Sequence, residues 1–145
     1  MNRIQLETLL HEQIPLAKAM NVKVEYFDSG RVELTCPLTP NHNHLGTAFG
    51  GSLSALMILA AYCRLFAIIN GKGHVLLKSN SMQFLKPVHE DLRAISIPPD
   101  QEASDIFLKT YQKKKRARIT LISEILLSDA SVACRMTGEF IGCDI

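Results

Sequence analysis

Residues 52–70 read SLSALMILAAYCRLFAIIN, a stretch apolar almost all the way round a helix and followed by the helix stop Asn70-Gly71. A helix without a polar face is either buried on most sides or crosses a membrane. A crossing needs about 20 predominantly apolar residues, and an arginine at the bilayer centre costs roughly 3 kcal/mol on insertion scales. Tyr62 and Arg64 interrupt this stretch. The expectation is therefore a helix buried inside protein.

The flanking sequence shows what would bury it. Upstream, Val22 to Phe27 and Arg31 to Leu38 alternate polar and apolar residues around Asp28-Ser29-Gly30, which predicts a β-hairpin with Val32, Leu34, Cys36 and Leu38 facing the core. Downstream, strands are expected over His74 to Lys86, Asp91 to Ile97, Ala117 to Leu127 and Ser131 to Ile141, with a helical piece near Ala103 to Gln112. Ahead of everything, Ile4, Leu6, Leu9, Leu10 and Ile14 recur at helical spacing, and Pro15 should kink or divide that covering helix. There is no repeat and no alternating βα pattern. One very hydrophobic helix among so many strands is buried most efficiently by a curved antiparallel sheet wrapped around it, an α+β arrangement.

Bulk composition narrows the function. A chain of 145 residues has the size of one domain, so residues 1–145 are read as a single unit. The formal charge of +2, the lack of tryptophan and the absence of aromatic-basic interleaving argue against nucleic acid as a partner. Lys113, Lys114, Lys115, Arg116 and Arg118 form one basic run, either a phosphate site or a solvated edge. Cys36, Cys63, Cys134 and Cys143 lack metal-site or redox spacing and read as small buried hydrophobes. Met1 to Gln13 has no uninterrupted apolar core of a signal peptide, and with the thiols this leads to the expectation of a cytoplasmic protein without metal.

Between the hairpin and the hydrophobic helix lies Asn41-His42-Asn43-His44-Leu45-Gly46-Thr47-Ala48-Phe49-Gly50-Gly51. Running straight into that helix, the segment resembles the Asn-x-x-Gly-x-x-His-Gly-Gly stretch of hotdog-fold acyl-CoA thioesterases. Phe84-Leu85-Lys86-Pro87 with Glu90-Asp91 is similar to the next strand pair of these proteins, and Thr137-Gly138-Glu139-Phe140 to their final strand. The form Gly-Thr-Ala-Phe-Gly-Gly-Ser most resembles a thioesterase family also found as the C-terminal half of some bacterial acetyltransferase-like proteins. The resemblance runs from about Ala17 onward and is concentrated in Asn41 to Ser52. It implies the hotdog fold, hydrolysis of an acyl-CoA or acyl-carrier-protein thioester, no cofactor beyond coenzyme A as part of the substrate, and a homodimer or higher even oligomer. Two positions depart from the family pattern. Phe49 stands where many members have histidine, and Ile58 where many have the helix aspartate or glutamate that activates water.

An independent physical argument points to the same place. Attack on a thioester puts negative charge on the carbonyl oxygen, which needs preorganised donors. Gly50 and Gly51 permit close backbone approach, and the positive end of the helix dipole coincides with free N–H groups there. The same glycines would also serve a plain loop-to-helix turn. The resemblance makes Gly50 an oxyanion donor and Asn43 the residue that positions the carbonyl or the water, while Thr47 and Ser52 are candidates to orient water or to cap the helix. From Leu34 to His89 there is no aspartate or glutamate, so the local candidates for a base are His44 and, behind it, His42. Ser79, Asn80 and Ser81 interrupt an apolar strand and match a polar stretch near the thioester in related enzymes. Lys86, Arg116 and Arg118 are candidate phosphate partners, and Phe49, Leu56 and Met57 candidate determinants of acyl length. Two other functions fit the same fold: a non-catalytic acyl-CoA binder, favoured by the missing helix carboxylate, and a hydroxyacyl-thioester dehydratase.

Overall fold

A computed structural model describes residues 1–144. The chain forms α1 (Arg3–Gln13), α2 (Pro15–Ala19), β1 (Lys23–Phe27), β2 (Val32–Cys36), α3 (Gly50–Ile68), β3 (His74–Phe84), β4 (Leu92–Ile97), α4 (Gln101–Lys114), β5 (Arg116–Leu126) and β6 (Val132–Cys143). The six strands make one antiparallel sheet in the order β1-β2-β4-β5-β6-β3. Helix α3 packs against five of them, β2 through β6. This is the hotdog fold.

Each element follows from local chemistry. Asn2 and Gln5 close a reciprocal capping box at the start of α1. Pro15 ends that helix and opens α2 at a position where its missing N–H costs nothing. In β2, Val32, Leu34 and Cys36 are buried towards α3 as alternation requires. Helix α4 is capped by Asp100, whose side chain accepts from the Ala103 N–H, and it stops at Lys115, which has a left-handed backbone. The basic run is thus divided between a helix end, where Lys113 and Lys114 complement the dipole, and the first residues of β5.

Helix α3 is long and apolar enough to cross a membrane by length and composition, yet it lies against the sheet. Ten of its residues are buried. Arg64 is one of them, and it is satisfied by protein. Its guanidinium donates to the carbonyl oxygens of Ser29 at 3.0 Å, Gly30 at 3.3 Å and Ser96 at 3.1 Å, and to the Ser96 hydroxyl at 3.4 Å. Burial lowers its pKa, against the opposing charge of Asp28. The residue that argued against a bilayer therefore ties the helix to the β1–β2 turn and to β4.

Boundaries differ from the sequence expectation in one place that matters. The helix begins at Gly50, not Ser52, and ends at Ile68, with Asn70 in the turn beyond. Two glycines are poor helix formers, but as the first turn of a helix whose remainder is buried they are carried by the packing behind them. On the side facing β3, Ser54, Ala55, Ile58 and Tyr62 remain only half-covered. Strand β3 itself is the sheet's edge and is exposed along most of its length.

Candidate functional site

The loop before α3 is built by its own side chains. Asn41 is buried, and its Nδ2 donates to the carbonyl oxygens of Met20 at 2.9 Å and Pro37 at 2.8 Å. Asn43 Oδ1 accepts from the N–H groups of Leu45 at 2.8 Å and Thr47 at 3.2 Å, while its Nδ2 donates to Thr47 Oγ1 at 2.8 Å. Gly46 takes φ +79° to close this turn. One further bond ties the loop to the fold, Ala48 N–H to Val88 O at 2.8 Å, and another closes the loop on itself, Phe49 N–H to Asn41 O at 2.8 Å.

The loop delivers the chain to a helix terminus that has no side-chain cap. Phe49 is the N-cap and supplies no hydrogen bond, no acidic residue lies in the first turn, and the first intrahelical bond is Leu53 N–H to Phe49 O at 3.0 Å. The N–H groups of Gly50, Gly51 and Ser52 have no partner among the described residues. They are the orphan donors of a helix start. Beside them opens a cleft of ≈ 290 Å³ lined by Ala48, Gly50, Leu53, Phe84, Lys86 and Val88, among others.

Neither glycine has a positive φ, and only Gly51 is required by space. A Cβ on Gly50 would lie 3.9 Å from the Phe84 ring, and a Cβ on Gly51 would lie 2.4 Å from a carbon of the Phe49 ring. Gly51 is thus where the half-exposed Phe49 ring folds back over the backbone. Gly50 faces Phe84 across the cleft.

The remaining candidate residues divide into those near this cleft and those away from it. Lys86 lines it. Thr47 is half-buried and its hydroxyl is held by Asn43; Ser52 is the third helical residue and its hydroxyl bonds to no described residue, so neither caps the helix. His44 is exposed at the loop tip, and His42, also exposed, sits with Nδ1 2.9 Å from Asn43 O. Ser79, Asn80 and Ser81 are exposed on the edge strand. Arg116 pairs with Cys143, which pairs with His74, so it stands at the opposite end of the sheet from Phe84 and Lys86. Leu56 and Met57 are fully buried in the core and line none of the clefts described here. The apolar recess that is open, ≈ 380 Å³, lies between Leu16 of α2, the Ala55, Ile58 and Tyr62 stripe of α3, and Leu77 of β3.

The carboxylates that follow His89 are engaged elsewhere. Glu90 accepts from the N–H and hydroxyl of Ser128, and Asp91 accepts from the Leu38 N–H. Sequence reasoning placed Asn41 at the head of the motif without giving it a role, and it did not count Phe84 and Val88 as walls of the site.

Residues 3–143 match a family model described as "Putative thioesterase (yiiD_Cterm)". The chain belongs to this family. Solved structures agree on the fold. A protein of unknown function from Chlorobaculum tepidum TLS superposes with a TM-score of 0.88 at 25% identity, covering 99% of this chain and 94% of that one. A protein described as a "putative thioesterase" from Shewanella oneidensis gives 0.85 at 22% identity over 97% and 96%. The thioesterase HI1161 from Haemophilus influenzae gives 0.75 at 13% identity over 97% and 90%. Among the thioesterase-family features of this chain, the loop and the uncapped terminus of α3 are where sequence motif and geometry coincide.

Proposed function

We propose that this thioesterase-family chain hydrolyses an acyl-CoA thioester by attack of a positioned water, with the N–H groups at the start of α3 receiving the charge of the carbonyl oxygen. The observation that carries this reading is the uncapped terminus of α3. Gly50, the first of three unpartnered backbone donors at the positive dipole end, lines a cleft, and such donors act on a developing oxyanion without reorganising. Asn43 acts as a positioning residue, because its amide is spent on holding the loop that aims Gly50. With no carboxylate among the residues lining the cleft, the water is held by backbone and hydroxyl groups, and Ser52 in the first turn carries an unengaged hydroxyl.

The working unit is a homodimer joined through β3. That strand has one free edge, and Leu76, Leu77, Phe84 and Leu85 on or just after it are exposed. An edge of this length and character is a pairing template. A second copy would also cover the half-exposed stripe of α3. The protein acts in the cytoplasm, in keeping with its thiols: burial pushes Cys36 and Cys63 up to about 12 and Cys134 up to about 11, so they stay protonated and inert.

The test is a panel of acyl-CoA chain lengths with free thiol followed colorimetrically. Thiol release above background is expected, and Gly50→Val should lower turnover by about 100-fold, because its side chain would fill the space between Gly50 and Phe84 and keep the carbonyl oxygen from reaching the N–H donors. Tight binding without release would instead select the non-catalytic binder favoured by Ile58 on the helix, and a changed enoyl absorbance without thiol would select a dehydratase. His44→Ala should cost less than about tenfold, below the usual contribution of a general base. A larger loss with a vanished acidic limb in the pH–rate profile would make His44 the base.

A further inference from the structure

Phe49 is the N-cap of α3, and its backbone, φ −66° and ψ 134°, already has the extended shape from which a cap side chain bonds the second or third N–H of a helix. Serine, asparagine or aspartate is favoured at such a position and would occupy the N–H of Gly51 or Ser52. A phenyl ring cannot. Phe49 forgoes that bond and is still 55% exposed, so neither capping nor burial accounts for it.

The place of the ring does. Its Cε2, Cδ2 and Cζ stand 2.4, 3.0 and 3.2 Å from where a Gly51 Cβ would be. In a helix the Cα–Cβ bond tilts towards the N-terminus, the direction in which the unpartnered N–H groups of the first turn also point. A ring in the place of the Gly51 Cβ therefore lies beside the ends of those N–H bonds. Phe84, 53% exposed, stands in the same relation to Gly50, with ring carbons 3.9 and 4.0 Å from the place of its Cβ. Successive helical residues point about 100° apart, so the two rings wall the terminus on two sides. Donors between apolar walls meet less competing water and act through a lower dielectric, which strengthens their hold on a developing charge.

We infer that Phe49 is a positioning residue of the oxyanion site, which keeps the α3 terminus uncapped and shields its N–H groups from water. This rests on the proposed hydrolysis. It gives the ring that stands where many family members have histidine a part in the reaction other than proton transfer.

The test sets activity against stability. Phe49→Ser supplies a cap and removes the ring. Its Tm should rise by about 2 to 4 °C, the scale of one added cap in a chain of this size. Its kcat on acyl-CoA should fall about tenfold or more while KM moves less than about threefold, as for an interaction made in the transition state. Phe49→Leu, apolar and equally unable to cap, should restore kcat to within about threefold of wild type. Gly51→Ala pushes the ring aside and should lower kcat as far as Phe49→Ala does, with the double variant no lower than either. A ring that merely packs would leave kcat unchanged in Phe49→Ser and lower its Tm. Either result overturns the inference, as do a Phe49→Leu variant no better than Phe49→Ser and additive losses at Phe49 and Gly51. If wild type releases no thiol from any acyl-CoA, the proposed hydrolysis fails, and the shielding is read from amide hydrogen exchange alone. The Gly51 and Ser52 N–H groups should then exchange about tenfold faster in Phe49→Ala than in wild type, and equal rates overturn it.

Discussion

The two edges of the sheet are treated in opposite ways. Strand β1 is five residues long and is closed off by α1: Glu7 Oε1 accepts from the Val24 N–H at 2.8 Å, Arg3 Nη1 donates to Val24 O at 3.4 Å, and His11 Nε2 sits 2.7 Å from Val22 O. Strand β3 is eleven residues long and exposed, and no helix side chain bonds to its free edge among the described residues. Its protection against indiscriminate pairing is limited to a bulge between Leu77 and Ser79 that carries Lys78. The chain thus seals one edge with a helix and leaves the other open, where the proposed β3 dimer would cover it. The same asymmetry reaches the site, since the open edge runs beside the uncovered stripe of α3 and ends at Phe84.

The sharpest way to break this comparison is Leu77→Asp. A carboxylate buried without a partner at the β3 interface should weaken the dimer on the order of 100-fold or more, with hydrolysis falling as the dimer dissociates. Light scattering across a concentration series reads it; a variant that stays dimeric and active would show that β3 is not the contact. A change that sharpens the comparison is Ser79→Cys. At the midpoint of an antiparallel pair the two Cα atoms would be about 4.5 to 5.5 Å apart, within disulfide range. Mild oxidation should then give a covalent dimer on non-reducing gels, and the four native cysteines, all buried, should not compete. The smallest effect belongs to the sealed edge. Glu7→Ala removes one hydrogen bond to β1 and should cost about 1 kcal/mol, a few degrees in Tm, with no change in oligomeric state.

Much of the fold was legible because exposure repeats with backbone geometry. The all-round apolarity of residues 52–70 required burial, Pro15 divided the first helix, and alternation in β2 placed Val32, Leu34 and Cys36 inside. The helix start was misread by two residues because Gly50 and Gly51 carry a loop signature, and only the packing of the helix behind them makes them helical. Leu56 and Met57 illustrate the same limit: apolar residues on a helix look alike in sequence whether they face a packed core or an open recess.

The sequence by itself determined the buried helix, the strands around it, the motif from Asn41 to Ser52 and the lack of any carboxylate between Leu34 and His89. These are local properties, set by residue type and period. Tertiary structure alone decided that Lys86 stands at the Gly50 cleft while Arg116 stands at the far end, that Asn43 is committed to its loop, and that one edge is sealed and the other open. The reason is strand order. Placing β3 beside β6 brings together residues about 60 positions apart, and no local period encodes which rows of side chains will then face one another.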